Sequence, residues 1–386
     1  MVSLITTFSV CGKKKSIADA HRNFVKHTGK NVSRSSFWER IANKTLLDFV
    51  EKAVLKFSFR IQEKALSKLS WLSVFEDVFM YDASPIRLPA GLANIFPGNR
   101  KNHSPASLKL SALYRLSVRS TEWIKISAQK PHDSRFLPDL NQLKGSLFLF
   151  DLGYFSHAFL HQLCEIGVWF VCRLKANSVP IITKVVKGVA KRHIGRPLDK
   201  NVNLRGMIVE VWGNLNLPGP GKKSLEVRLI GFRFPFKKEY RWYVTNMQSS
   251  MALAEWIYPI YRLRWQIELF FKSIKSTLHA DQITSENKNI VMVTAYSSIL
   301  ASLIANSVII EYAVVSAKIE LKSVTAQRIT LVFSLIAHDL AKCILKNDFP
   351  AKTFIENLTN LLPLLICPNR KHRPTSLEIV TMFGVM

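Results

Sequence analysis

The amino-acid sequence predicts an α/β protein: a mixed sheet flanked by helices, with a β-rich insertion and helical regions at both ends. Three observations predict it. Between residues 78 and 174, apolar runs of strand length alternate with helical patterns, as in a sheet covered on its faces. A stretch rich in β-branched residues and punctuated by Gly and Pro follows over 179–245. From Met251 to about Leu365 the apolar residues recur at helical spacing.

Composition narrows the class. At 386 residues and 48% hydrophobic, the chain can form two or three domains with a sizeable core, which excludes a disordered protein. Lys and Arg number 54 against 27 acids, a net charge of +27. Such a charge repels itself, and a polyanionic partner relieves it. Nucleic acid leads because aromatic residues are interleaved among the cations; an anionic membrane surface is the weaker alternative. The five cysteines (Cys11, Cys164, Cys172, Cys343, Cys367) are scattered and form no C-x-x-C pair. They read as free thiols of a reducing cytoplasm, without a zinc site. The apolar stretch Val2–Val10 precedes Lys13-Lys14-Lys15, the reverse of a signal peptide. Residues 290–310 carry no charge and are long enough to span a bilayer, but Thr294, Ser297, Ser298, Ser302, Asn306 and Ser307 favour a helix buried in a soluble core.

The elements follow in order. Ser16 to His27 reads as a helix, Thr28-Gly29-Lys30-Asn31 as a turn, and a second helix is expected near Ser36, where Ser36-x-x-Glu39 fits a capping box. This is the outline of a helix-turn-helix, and equally of a small helical bundle. Val78–Asp82 reads as a strand, with Pro85 and Pro89 beyond it. Leu108–Val118 and Trp123–Ala128 read as strands of a meander. A turn and short helix over Ser134–Leu143 lead to Gly145–Asp151, a near-continuous apolar run typical of a central strand. Ser156–Ile166 continues as a helix and Val168–Leu174 as another strand. Residues 179–245 hold fourteen Lys and Arg against four acids and close with the strand Arg241–Thr245.

The helix read over residues 261–275 carries the most information. At 100° per residue, Tyr261, Arg264, Glu268, Lys272 and Lys275 share one side, opposite Leu263, Ile267, Phe270 and Ile274. One carboxylate among cations and a phenol suits a metal ion and a phosphate held together. A solvated face with Arg264–Glu268 and Glu268–Lys272 pairs is the plainer reading. Asp82 and Asp151 end predicted strands, where a turn or helix cap would also explain them. Joined by Glu268, they form a set of hard oxygen ligands suited to divalent cations.

Tyr261-x-x-Arg264-x-x-x-Glu268-x-x-x-x-x-x-Lys275 resembles, without a gap, the Y-(2)-R-(3)-E-(6)-K signature of bacterial DDE transposases of the insertion-sequence-four type. Asp151-Leu-Gly-Tyr-Phe-Ser resembles that family's second-aspartate block, followed by its Phe-Val-x-Arg-Leu-Lys strand at 170–175. Tyr243-Val-Thr-Asn resembles the strand entering the signature helix. The first block, Asp82-Ala-Ser-Pro-Ile-Arg-Leu, departs from the pattern, because Ala83 replaces the usual Ser or Thr; Asp77 is the nearest rival. The likeness covers roughly residues 70–320.

The resemblance implies an RNase H-like core with a β-rich insertion between the second Asp and the Glu. It implies a helical DNA-binding region over 1–70, core over 71–178 and 246–320, the insertion over 179–245, and a helical C-terminal region over 321–386. Asp82, Asp151 and Glu268 would be the catalytic residues and would hold two Mg²⁺ (or Mn²⁺) ions. Tyr261, Arg264, Lys272 and Lys275 would contact transposon-end DNA, with Trp265, Arg173 and Lys175 beside them, and Trp242 could stack on an extruded base or simply be a core residue. The implied partners are double-stranded DNA at transposon ends and target, and a second copy of the chain in the synaptic complex. The implied location is the cytoplasm, at the nucleoid. The implied reaction is metal-dependent strand cleavage and transfer at terminal inverted repeats. The competing readings are an RNase H-like nuclease, a transposase-derived DNA-binding protein without transposition activity, and a basic membrane-associated protein.

Overall fold

A computed structural model describes residues 2–9, 16–62, 74–100, 104–130, 137–217, 223–234, 239–277, 283–315, 326–346 and 350–366. Four helices open it: α1 (Val2–Ser9), α2 (Ile17–Thr28), α3 (Arg34–Ala42) and α4 (Lys44–Gln62). Ser16 caps α2 in a reciprocal capping box with Asp19, and Gly29, at φ 69°, terminates it in the left-handed conformation. The second helix starts two residues earlier than expected. Its cap is Ser33, whose hydroxyl accepts from the Ser36 amide, so Ser36 lies inside the first turn and forms no box with Glu39.

The strands follow: β1 (Val78–Arg87), β2 (Pro97–Arg100), β3 (Ser104–Arg115), β4 (Ser120–Ala128) and β5 (Leu147–Phe150). After α5 (His157–Ile166) come β6 (Trp169–Arg173), β7 (Ile181–Lys187), β8 (Ile208–Asn216), β9 (Ser224–Arg233) and β10 (Tyr240–Thr245). Leu140–Leu143 forms a 3₁₀ turn; of the turn and short helix expected over Ser134–Leu143, residues 134–136 lie outside the described residues and 137–139 are not helical. β1, β5 and β6 run parallel, and β3 and β4 continue antiparallel from β1. The order β4-β3-β1-β5-β6, with only β3 running opposite to the other four, is the RNase H-like arrangement. Pro85 fits in β1 because β5 pairs β1 only as far as Tyr81, so the missing N–H faces no partner there.

The insertion is β-rich as expected, but it does not stand apart. β10 pairs antiparallel with β6, and β9, β8 and β7 follow outward, so one ten-stranded sheet runs through both parts. Cross-strand pairing left the edge of β6 open, and β10 closes it. Asn246 completes that junction, accepting from the Phe170 amide and donating to the Val168 carbonyl, both at 2.9 Å.

Strand alternation divides the core in two. Phe79, Tyr81, Phe148, Phe150 and Phe170 meet α5 through Phe159, Leu160 and Leu163. Val78, Met80, Leu147, Leu149 and Val171 face the C-terminal helices: α6 (Ala254–Arg262), α7 (Trp265–Lys272), α8 (Lys288–Val315), α9 (Ala326–Lys346) and α10 (Ala351–Ile366). α8 contains the apolar stretch that by length and composition could cross a bilayer, yet 83% of that window is buried inside the protein. Its Ser297, Ser298 and Ser302 are fully buried, and small side chains there let α1, α4 and α9 approach closely. The basic tail at 369–373 and Cys11 and Cys367 lie outside the described residues; Cys164, Cys172 and Cys343 are free thiols.

Candidate active site

Register places the two aspartates. Tyr81 pairs with Phe150 across the parallel β1–β5 ladder, so Asp82 and Asp151, one residue further on, are neighbours on adjacent strands. Both have the parity of Met80 and Leu149, which directs them to the face covered by α6 and α7. On β6 the same row continues to Arg173, because Leu149 pairs with Val171. Asp82 lies within β1, not in a turn. Asp151 precedes a 3₁₀ turn over Leu152–Tyr154 but makes no side-chain cap bond to it. Its carboxylate accepts instead from the Tyr261 hydroxyl at 3.4 Å.

The signature segment is not one regular helix. α6 ends at Arg262, and α7 begins at Trp265. Between them, amides bond three residues back (Leu263 to Ile260, Arg264 to Tyr261, Gln266 to Leu263, Ile267 to Arg264), a 3₁₀ link. In 3₁₀ geometry, residues three apart eclipse. Tyr261 and Arg264 therefore stand in line, with the guanidinium carbon 5.7 Å from the Tyr261 ring centroid. Ser273–Thr277 then widens into a π-helical turn. Leu263, Ile267, Phe270 and Ile274 are fully buried, as their spacing predicts.

Arg264 joins the acids. Its guanidinium donates to Asp82 at 3.1 Å and also to Glu268. Its Nε is buried without a partner. Burial pushes the Asp82 carboxyl up to about 6, and the charges of Asp151 and Glu268 add to that. The Ala83 amide, donating at 2.8 Å, and Arg264 oppose the shift without cancelling it. Burial also raises the Tyr261 hydroxyl, opposed by Arg264.

The donor set suits a hard divalent cation by type. Two carboxylates share one guanidinium, and one of them, Asp82, is driven toward protonation by burial first and by the neighbouring acids second. Among the described residues, however, no group of three or more His, Cys, Asp or Glu side chains is already arranged to hold a metal ion. The Arg264 guanidinium lies between Asp82 and Glu268 instead.

The other expected residues divide. Arg173 is exposed at the end of the aspartate row, and Lys272 is exposed on α7. Lys275 is half-buried in the π turn. Lys175 donates to the Phe155 carbonyl at 2.8 Å, which turns it inward. Trp265 is 53% exposed at the start of α7. Trp242 lies on the opposite sheet face from the acids, against Gly231, where an added Cβ would meet its ring at 3.1 Å. Asp77, the rival of Asp82, is buried and fully engaged: it accepts from Arg115 at 2.6 Å, from the Ser117 hydroxyl and from the Val78 amide at 2.7 Å.

Sequence reading missed one buried ion pair. Arg228 on β9 is fully buried, bonds Glu210 on β8 at 2.8 Å and donates to the Ala252 carbonyl at 2.7 Å. Ser249 donates to the same carboxylate at 3.1 Å. The pair anchors the loop that launches α6, and so helps to aim Tyr261. One signal was available: an arginine amid the apolar run of β9, two residues from another inward-facing position.

An RNase H-like sheet bearing one aspartate within its first strand and a second just past the adjacent parallel strand, with a glutamate carried on a helix over the same face, defines the class. The chain belongs to the transposase DDE domain family, whose model matches residues 74–304. Domains of this family generally use divalent metal ions. The chain is 24% identical over 305 residues to the transposase for insertion sequence element IS1151 of Clostridium perfringens, covering 69% of this chain and 64% of that protein. It is 26% identical to the transposase for insertion sequence element IS231C of Bacillus thuringiensis subsp. berliner, covering 72% of this chain and 66% of the relative. The chain thus spans just under two thirds of the length of these relatives. A piggyBac transposase synaptic complex with hairpin DNA is also similar, with TM-score 0.46 and 11% identity, over 96% of this chain and 76% of that one.

Proposed function

We propose that this protein is the DNA transposase of an insertion sequence, binding terminal inverted repeats and catalysing cut-and-paste strand cleavage and transfer. One observation carries the reading. Asp82 and Glu268, far apart in the chain, share the Arg264 guanidinium, and Asp151 accepts from Tyr261, three residues before it, on the same face of the sheet.

In this reading Asp82, Asp151 and Glu268 would hold two Mg²⁺ or Mn²⁺ ions, which when bound lower the pKa of an attacking water or 3′-OH and stabilise the leaving oxygen. The chain's own residues do the rest. Arg264, released from the carboxylates, offers a planar fork to a phosphate. Tyr261 holds Asp151 in orientation, and Arg173 and Lys275 flank the approach to the site. The region 1–70 binds DNA, 71–178 and 246–320 form the catalytic core, and the insertion over 179–245 and the C-terminal region over 321–386 complete the chain. Two copies pair the two ends, in the cytoplasm where the DNA lies.

Glu268→Gln tests the reading. Cleavage of transposon-end DNA should be lost while DNA binding is kept, and unchanged cleavage would defeat the assignment. A chain that cuts duplex DNA but never joins a 3′-OH to a target would be a nuclease of the same fold.

A further inference from the structure

We propose that the outer edge of the sheet, β7 with the loop over 188–205, is a separate DNA-binding face that grips double-stranded DNA by its phosphates, independently of sequence. The proposal rests on the DNA-binding reading above and adds a surface remote in sequence from the signature residues.

Charge carries the first part. Lys184, Lys191, Arg192, Arg196, Lys200 and Arg205 are all exposed, and among the described residues none forms an ion pair. Lys187, by contrast, is held by Glu255 at 3.0 Å. The one acid between 184 and 205 is Asp199, whose carboxylate is used within its own turn by the amide and side chain of Asn201, at 2.8 and 3.1 Å. Across the rest of the insertion, Glu226 accepts from Thr183 and Glu210 is buried with Arg228. Asp199, Glu226 and Glu210 are therefore engaged with other groups, which leaves exposed Glu239 as the remaining acid of the insertion against this cluster. A stable fold that leaves such a cluster unpaired is suited to a polyanion.

The cluster is also fixed in place. The loop folds back on the edge strand through hydrogen bonds from Ile182 to Arg196, Gly195 to Ile182 and Arg205 to Gly188, each between 2.8 and 2.9 Å. His193, Leu198 and Val202 are buried beneath it. An open cavity of about 320 Å³ lies between Gly188, Val189, Ala190, Arg192, Asn203 and Arg205, lined by two guanidinium groups and one amide and by no acid. Gly188 shapes its floor: at φ 77° it passes so close to Arg205 that an added Cβ would meet that carbonyl at 2.6 Å. Two guanidinium forks over a hollow match a phosphodiester, whose oxygens accept paired N–H bonds.

The chemistry also indicates which feature of DNA is read. Cations and a lone amide on a rigid edge contact the backbone, which positions DNA but carries no sequence information. An anionic membrane is the competing polyanion, because Val186, Ile194 and Met207 are exposed nearby. They lie singly on a strand and on loops, without the amphipathic helix by which such proteins enter a bilayer surface.

The test uses the full chain carrying Lys191→Gln, Arg192→Gln, Arg196→Gln and Arg205→Gln together, with folding checked by circular dichroism. Binding to a mixed-sequence duplex is followed by fluorescence anisotropy as salt rises. Each lost phosphate contact lowers the slope of log K against log salt by about 0.9, so the variant should lose roughly 2–4 in slope and at least about tenfold in affinity at low salt. A folded variant with the parent's affinity and slope overturns the proposal while leaving the transposase reading intact. A parent that binds no duplex at all sinks that reading and this proposal together. Vesicles containing phosphatidylserine form the second arm: variant-sensitive vesicle binding with unaltered DNA binding would assign the face to membrane and overturn the proposal. If the four-site variant does not fold, Arg192→Gln with Arg205→Gln alone should lower the slope by about 1–2, and no change would overturn it.

Discussion

Arg264 and Asp82, 182 positions apart in the chain, are joined by a hydrogen-bonded ion pair of 3.1 Å, and the same guanidinium reaches Glu268. The arginine thus supplies the positive charge that the carboxylates require in this state. A divalent ion bound by those carboxylates must displace it. Arg264→Met is therefore expected to bind Mn²⁺ more tightly than the parent without DNA. Removing one charge-assisted bond of about 1.5–3 kcal/mol corresponds to roughly ten- to a hundredfold in affinity. Isothermal titration checks this, and equal or weaker binding by the variant would contradict it.

Asp82 makes stability pH-dependent with a defined sign. Its carboxyl sits at about 6 in the folded protein against an ordinary 3.8, so between those values the folded state holds a proton that the unfolded state has released. Its contribution is most favourable below about pH 4 and is lost as pH rises through about 6. Asp82→Asn should therefore be more stable than the parent at pH 8, by at most about 3 kcal/mol, and the gain should shrink at pH 4. A variant less stable at both pH values would refute the argument.

Asp77 should behave oppositely. Its carboxylate holds Arg115, Ser117 and the Val78 amide in a buried network, so Asp77→Ala strands a guanidinium and costs about 3–5 kcal/mol. Chemical denaturation would show it. Asp77, just before β1, and Asp82, within it, are then told apart by the sign of one measurement.

The Arg228–Glu210 pair predicts strong coupling. Either Arg228→Met or Glu210→Leu alone leaves a buried, unpaired charge and should cost about 3–5 kcal/mol, whereas both together should recover most of it. A double-mutant cycle with additive losses would show that the two groups are not partners.

Much of this was legible in the sequence because the elements are locally consistent. The alternating strands, the Ser156-capped α5 and the buried stripe Leu263, Ile267, Phe270 and Ile274 all follow from spacing and capping. The side-by-side placement of Asp82 and Asp151 was not legible, because it depends on the Tyr81–Phe150 pairing between strands distant in the chain. The break of the signature helix escaped a 100° wheel, since a 3₁₀ link has the same composition as an α turn. Trp242 needed the strand parity of β10, which only the pairing with β6 and β9 fixes. The merging of the insertion into the main sheet escaped for the same reason: long-range pairing leaves no mark on composition.

The parallel ladder between β1 and β5 also sets which length changes the protein can absorb. Extra residues in the connections beyond Leu174 alter only how far the chain travels before returning at β10. A single residue added within 147–150 would instead rotate Asp151 to the α5 side of the sheet, away from Tyr261. Such a protein could still fold, yet its acids would be on opposite sides of a solid wall.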